Sequence, residues 1–168
     1  MKRNISLIGM AGVGKSFTSR ALADKLDYKY VSADELITRE AGKMGADKNM
    51  LSDTVFIGME ESVIVSLQDK TNTIIDTGGS VIYSPKAMEV LDRISFIVYL
   101  SDSLKNIKKR FDNRREPHLV GMAVGMTFEK LLAQREKLYE KYAHIKINVS
   151  ENRNGLVSEI VSEYKKIR

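Results

Sequence analysis

The chain has 168 residues, with 43% hydrophobic and 29% charged side chains, the size and composition of one globular domain with a buried core. It contains no cysteine, which excludes disulfides, thiolate metal sites and cysteine nucleophiles. No apolar run approaches the roughly 18 residues of a membrane span. The short apolar run after the basic N-terminus leads straight into a glycine-rich loop, which indicates a buried strand rather than a signal peptide. We therefore expect one cytoplasmic domain over residues 1–168, without membrane contact.

Five short apolar runs predict parallel strands that are buried on both faces. The predicted strands span residues 5–8, 28–32, 73–76, 94–100 and 145–149. Longer stretches predict helices at about 16–26, 34–42, 52–69, 103–112, 127–142 and 154–167. Asp34 and Thr127 lie where helix N-caps are expected. This alternation predicts an α/β fold, an open parallel five-stranded sheet flanked by helices.

Residues 9–16, GMAGVGKS, fit the phosphate-loop pattern G-x-x-x-x-G-K-[ST]. The motif follows the first strand and opens a predicted helix, so backbone N–H groups and the positive helix end can face a triphosphate. Lys15 can reach the β- and γ-phosphates, and the Ser16 hydroxyl can ligate Mg²⁺. The motif therefore predicts ATP and Mg²⁺ as cofactors, with binding residues Gly12, Val13, Gly14, Lys15, Ser16 and Phe17.

Polar residues follow the second and third predicted strands, at the sheet edge where ligands of open α/β sheets bind. Asp34 can orient an acceptor hydroxyl and take its proton, or it can simply cap the following helix. Asp76 ends an apolar strand as a Walker B acid does, which suits Mg²⁺ binding directly or through water. The alternative for Asp76 is a turn-capping role. Gly78, Gly79 and Ser80 come next, and the glycines permit close approach of a substrate.

Basic residues outnumber acidic ones, for a net charge of +5, and they concentrate within residues 105–115. A nucleic-acid patch is one explanation, but this segment has a single aromatic residue, Phe111, and no surrounding nucleic-acid-binding motif. Closure over the phosphates of ATP explains the cluster better, so we expect no nucleic-acid partner. The irregular stretch at about 113–126, with Gly121 and Gly125, is predicted to be a lid.

Beyond the phosphate loop, the chain resembles the shikimate kinases nearly end to end. The shared segments are ADELI, TGGSV, Ser84-Pro85, IVYL before a basic helix, R-x-x-L-Y at 135–139 and NRN at 152–154. The resemblance implies a P-loop NTPase-type fold, nucleoside-monophosphate-kinase-like, with a substrate-binding helical region at about 34–69. It also implies ATP-dependent phosphorylation of shikimate to shikimate 3-phosphate, in aromatic amino acid biosynthesis.

The resemblance also assigns roles on the substrate side. Asp34 would contact the ring hydroxyl and serve as base, Gly79 would line the pocket, and Arg135 would pair with the substrate carboxylate through a fork of hydrogen bonds. The predicted substrate-binding set is Asp34, Ile57, Gly78, Gly79, Ser80 and Arg135.

On the nucleotide side, the resemblance implies that Arg110 and Arg153 flank the adenine and that a lid arginine closes over the phosphates. The family's lid arginine, directly before a proline, is Glu116 here. Arg115 or Arg114, one or two places upstream, is left for that role, and we expect Arg115 to act catalytically beside Lys15.

Three further positions depart from the family's pattern. Ser32 stands where the first Asp of a D-x-D pair is expected near Mg²⁺, and we infer that Asp76 takes over that role. Ile57 replaces the arginine that grips the shikimate carboxylate, and Ser80 replaces a third glycine. Losing one partner of a charge pair in a closed site costs roughly 2–5 kcal/mol. These changes therefore favour a smaller or less acidic alcohol, or the same ring held differently.

Three functions stay open at this point. The first is a shikimate kinase, which turnover of shikimate would test. The second is a kinase of another metabolite alcohol or a nucleotide. The third is a nucleotide-binding protein with little transfer activity. For the kinases we expect a small-molecule hydroxyl substrate and a monomeric enzyme.

Overall fold

The computed structural model describes residues 2–111, 119–152 and 154–167. Its strands are β1 (Asn4–Ile8), β2 (Lys29–Ser32), β3 (Thr73–Asp76), β4 (Ser95–Ser101) and β5 (Ile145–Asn148). Its helices are α1 (Lys15–Leu26), α2 (Ala33–Lys43), α3 (Asp53–Val65), α4 (Pro85–Ile94), α5 (Leu104–Phe111), α6 (Phe128–Tyr142) and α7 (Leu156–Ile167). The five strands form one parallel sheet in the order β2-β3-β1-β4-β5, which confirms the predicted open α/β sheet.

Helix α4 is absent from the sequence prediction, which went directly from β3 to β4. Its start nevertheless carries two local signals: the Ser84 hydroxyl accepts a hydrogen bond from the Ala87 N–H at 3.0 Å, and Pro85 occupies the first turn. Its buried residues then recur at helical spacing, on the face that packs toward the sheet: Ala87, Met88, Val90, Leu91 and Ile94.

The N-cap prediction for the second helix is also wrong. Ser32, not Asp34, caps α2, because its hydroxyl accepts from the Glu35 N–H at 3.2 Å. Thr127 caps α6 as predicted, accepting from the Lys130 N–H. The Asp34 side chain is therefore released from a capping role.

Two hydrophobic cores cover the two faces of the sheet, because alternate strand residues point to opposite sides. Ile5 and Leu7 of β1 face α1 and α7, where Leu22 and Ile160 are fully buried. On the other face, Ile8 joins residues of α2, α3, α4 and α6. The carboxyl ends of β1, β2 and β3 lie at one edge of the sheet.

A smaller apolar cluster lies between α5, α6 and residues 119–126. Ile107, Leu131 and Leu132 are buried there, and Leu119 and Met122 pack against them. The described part of the predicted lid is thus attached to the body of the domain, while residues 112–118 lie outside the described chain. Throughout the described ranges, every helix is too short or too polar to cross a membrane.

Candidate active site

A cleft of about 980 Å³ opens at the carboxyl ends of β1, β2 and β3. It brings together most of the residues singled out from the sequence, because parallel strands bring their carboxyl ends to one edge. Asp76 pairs in register with Leu7 on one side and with Ser32 on the other. The predicted site residues lining this cleft are Gly12, Gly14, Lys15, Ser16, Phe17, Asp34, Asp76, Gly78, Gly79, Ser80, Arg110 and Arg135.

The phosphate loop has the backbone that its glycines permit. Gly12 and Gly14 have φ values of 80° and 110°, in the left-handed region that side chains disfavour. Gly14 is also the N-cap of α1, and no side chain caps that helix end. The first N–H groups of α1 and the positive end of its dipole therefore suit an anion. Val13 contributes no side chain here, since it is buried in the core and its N–H donates to the Met10 carbonyl at 3.2 Å.

Lys15 is folded back onto the loop. Its Nζ donates to the carbonyls of Gly9 at 2.8 Å and Met10 at 3.2 Å, and the residue is only 8% exposed. Burial lowers the pKa of Lys15 below its ordinary value, although the nearby Asp76 carboxylate acts in the opposite direction. A buried ammonium held only by neutral carbonyls and a nearby acid is a strong site for phosphate oxygens.

Asp76 and Ser16 offer oxygen ligands at the same edge of the cleft. Asp76 is 5% exposed, and its Oδ2 accepts a hydrogen bond from the Tyr30 hydroxyl at 3.1 Å. No cluster of three or more acidic or histidine side chains able to hold a metal occurs among the described residues. This donor set fits Mg²⁺, which binds through one or two protein oxygens, waters and substrate phosphates.

Asp34 projects from the first turn of α2 and is 60% exposed. Its Oδ2 forms an ion pair with Lys48, which belongs to a short 3₁₀ helix at Lys48–Met50. Sequence reasoning did not single out Lys48, because only the fold of the substrate region brings it to Asp34. An acceptor hydroxyl that approaches Asp34 must displace or share this lysine.

Side chains of α3 and α6 contact the turn that follows β3. A Cβ on Gly78 would lie 2.1 Å from Glu60 Oε1, and one on Gly79 would lie 3.0 Å from an Arg135 nitrogen. The Tyr139 hydroxyl holds the Gly79 carbonyl at 2.6 Å. A Cβ at either position would crowd a buried side chain, so close packing favours glycine at both positions of the predicted pair.

Arg135 reaches the cleft from α6 although it is 1% exposed. Its hydrogen bonds run to neutral groups: the Tyr83 hydroxyl at 3.3 Å, the Val120 carbonyl at 2.5 Å and the Met10 sulfur at 3.4 Å. A buried guanidinium without full charge compensation is well suited to an anionic group of a ligand.

Glu60 is a buried acid that the sequence analysis left without a role. It lies on α3, is 1% exposed, and accepts a hydrogen bond on Oε2 from the Ser80 hydroxyl at 2.6 Å. Burial raises the pKa of Glu60 to about 7, against the opposing hydrogen bond from Ser80. Its position was readable, since it shares a helix face with Phe56, Val63 and Ile64, all of which are buried.

Arg110 lies across the phosphate loop from α5. Its Nη1 donates to the carbonyls of Gly12 and Val13 at 3.0 and 3.1 Å, and its Nη2 pairs with Asp102 at 2.7 Å. Asp102, a second residue that sequence reasoning missed, follows the end of β4 and holds this arginine in place. The guanidinium is therefore fixed beside the phosphate loop, and its role at the adenine stays a prediction.

The remaining predicted residues fall in different places. The Phe17 ring is 83% exposed at the cleft mouth, whereas Ile57 packs against the core and lies outside the cleft lining. Arg114, Arg115 and Arg153 lie outside the described residues.

Comparison with known proteins identifies the family of this chain. The family model described as "Shikimate kinase" matches residues 11–165. The chain is 32% identical to a shikimate kinase of Legionella pneumophila (strain Corby), over 96% of both chains. It is 31% identical to one of Hahella chejuensis, over 99% of this chain and 88% of the relative.

Solved structures share the fold at lower identity. Shikimate kinase from Acinetobacter baumannii, in complex with shikimate, superposes with a TM-score of 0.80 at 23% identity and covers 100% of this chain and 96% of its own. The shikimate kinase from Aquifex aeolicus superposes with a TM-score of 0.74 at 22% identity, and the match covers 97% of this chain and 96% of that one. With a phosphate loop, a buried lysine and a family match over nearly its whole length, the chain belongs to the shikimate kinase family of ATP-dependent phosphotransferases, which act on a hydroxyl of a small molecule.

Proposed function

We propose that this protein transfers the γ-phosphoryl group of ATP to a ring hydroxyl of shikimate. The observation that carries the choice of acceptor is Arg135, a buried guanidinium that lines the cleft beside Gly79 and, within the described part of the chain, hydrogen-bonds to neutral groups. Shikimate carries a carboxylate and several hydroxyls, so one end suits this arginine and the other suits Asp34. The names of the relatives support the same acceptor.

ATP with Mg²⁺ supplies the transferable phosphoryl group and the metal charge that offsets its oxygens. The N–H groups of the phosphate loop and Lys15 bind and orient the phosphates, with Arg110 on the nucleotide side. Ser16 and Asp76 are the residues that would hold Mg²⁺. Arg115 or Arg114 would add a further positive charge from the segment before residue 119.

Asp34 orients the acceptor hydroxyl and takes its proton. Its carboxylate is paired with Lys48, which keeps it near the cleft. We infer that substrate binding exchanges this partner for the hydroxyl. Asp34→Asn should therefore retain ATP binding but lose transfer, because an amide cannot accept the proton.

Another metabolite alcohol is the alternative acceptor. Ile57 favours it, because this position packs against the core and provides no second cation for a carboxylate. A nucleotide-binding protein with little transfer activity is the third candidate, and it would be favoured if Asp34→Asn left the biological activity intact. We further propose, on composition alone, that the protein is a cytoplasmic monomer. Light scattering of the purified protein tests the oligomeric state.

A coupled ADP-release assay separates these candidates. ATP–Mg²⁺ is offered with shikimate, and in parallel with small hydroxy acids, sugars and nucleosides. Turnover with shikimate at ordinary concentrations supports the proposal, and Asp34→Asn should abolish it. Turnover with another alcohol alone would replace shikimate as the acceptor, and silence throughout would favour the binding protein.

A further inference from the structure

Glu60 is a buried ionisable group that the phosphoryl-transfer mechanism does not use. One carboxyl oxygen, Oε2, accepts a hydrogen bond from the Ser80 hydroxyl at 2.6 Å, while Oε1 is buried and has no hydrogen-bond partner among the described residues. The same Oε1 lies against Gly78, where a Cβ would be only 2.1 Å away. An unpartnered buried carboxylate oxygen is costly, so this arrangement calls for an explanation.

The surroundings of Glu60 connect it to the acceptor half of the cleft. It contacts the 78–80 turn from α3, and Arg135 of α6 lies against the next glycine, Gly79. The charged groups that act on it are Arg135 and Lys15, which favour its ionised form, and Asp34, which opposes it. Glu60 thus lies behind the wall of the cleft, among the residues that would bind an acidic acceptor.

We propose that Glu60 is a positioning residue whose protonation state sets the affinity of the cleft for an acidic acceptor. When protonated, Glu60 leaves the Arg135 charge available to the carboxylate of the acceptor. When ionised, it competes for that charge and repels the carboxylate, through the turn at 78–80. This inference rests on the proposed function, since it requires an acceptor with a negative charge.

The pKa of Glu60, about 7, puts this change inside the working pH range. An anionic ligand disfavours the ionised form, so binding should draw a proton onto Glu60. By linkage the effect is reciprocal: if binding raises this pKa by about one unit, the affinity falls about tenfold between the protonated and the ionised enzyme.

The first test is the KM for shikimate from pH 6 to pH 8.5 at saturating ATP–Mg²⁺. The wild-type KM should rise by about tenfold, with little change in kcat, whereas Glu60→Gln, an uncharged isostere, should give a nearly flat profile. Glu61→Gln is the matched control, because that neighbouring carboxylate faces Ser84 and Lys86 outside the cleft. It should follow the wild type.

Calorimetry gives the second readout. Shikimate is titrated at pH 7.5 in two buffers of different ionisation enthalpy. The wild type and the Glu61 control should take up about half a proton, the amount expected when a pKa near 7 rises by about one unit. Glu60→Gln should take up none. If Glu60→Gln folds poorly, Ser80→Ala is used instead. Loss of the Ser80 hydroxyl removes a hydrogen bond that favours the ionised carboxylate of Glu60, so the midpoint of the KM profile should move to higher pH.

The outcomes separate this inference from the proposed function. If shikimate is turned over but the wild type and Glu60→Gln have identical KM profiles and identical proton uptake, the role of Glu60 alone is overturned. Absence of both turnover and heat with shikimate in the wild type would overturn the proposed acceptor, and this inference with it.

Discussion

Replacement of Glu60 by glutamine should remove a pH dependence from the stability of the ligand-free protein. The unfolded chain ionises this group near 4.5, whereas in the folded state the pKa is about 7. The folded protein therefore binds the proton more tightly, so stability falls as the pH rises from about 4.5 to 7 and stays level above that range. A difference of about 2.5 units corresponds to about 3 kcal/mol.

The assay is urea unfolding at intervals between pH 5 and pH 8, for the wild type and for Glu60→Gln. At pH 5 the folded-state side chain is uncharged in both proteins, and their free energies of unfolding should differ by less than about 1 kcal/mol. At pH 8 the glutamine variant should be the more stable, by up to about 3 kcal/mol.

Glu61→Gln, on the neighbouring and accessible carboxylate, should not show this gain. Parallel curves for the wild type and Glu60→Gln across the whole range would refute the reasoning, since they would mean that the buried carboxyl titrates as it does in the unfolded chain.

Three other changes test separate parts of the site. Lys15→Met should lower kcat by more than about a hundredfold in the ADP-release assay, while the melting temperature is kept. Asp76→Asn should raise the Mg²⁺ concentration needed for half-maximal activity; an unchanged requirement would remove this residue from the metal site. Tyr139→Phe leaves the Gly79 carbonyl without its donor and should cost about 1–3 kcal/mol in urea unfolding. A loss of stability with unchanged KM for the acceptor would limit this tyrosine to a structural role.

Features that depend on neighbouring residues were predictable. The five strands lie within two residues of their predicted limits, because a strand buried on both faces must be a short continuous apolar run. The phosphate loop was equally clear, since its glycines and its lysine act within eight consecutive residues. The N-cap of α2 was misplaced because Ser32 and Asp34 are both good capping residues and only the backbone geometry distinguishes them.

Features that depend on distant residues were missed or left open. The pairing of Glu60 with Ser80 spans 20 residues, and that of Arg110 with the Gly12 carbonyl spans 98. No local pattern reports such contacts, because they arise only when helices pack on the sheet. The same holds for Lys48, which a turn of the substrate region carries to Asp34.

By itself, the sequence determined the sheet, the nucleotide-binding loop and the family, since each is written in local patterns of apolar residues, glycines and motif spacing. The tertiary structure decided the electrostatics of the acceptor side. It buried Glu60 against Gly78 and Arg135 against Gly79, and it placed Ile57 against the core instead of in the cleft. Burial and proximity set the charge states and the partners of these groups, and both are properties of the folded chain rather than of any segment of it.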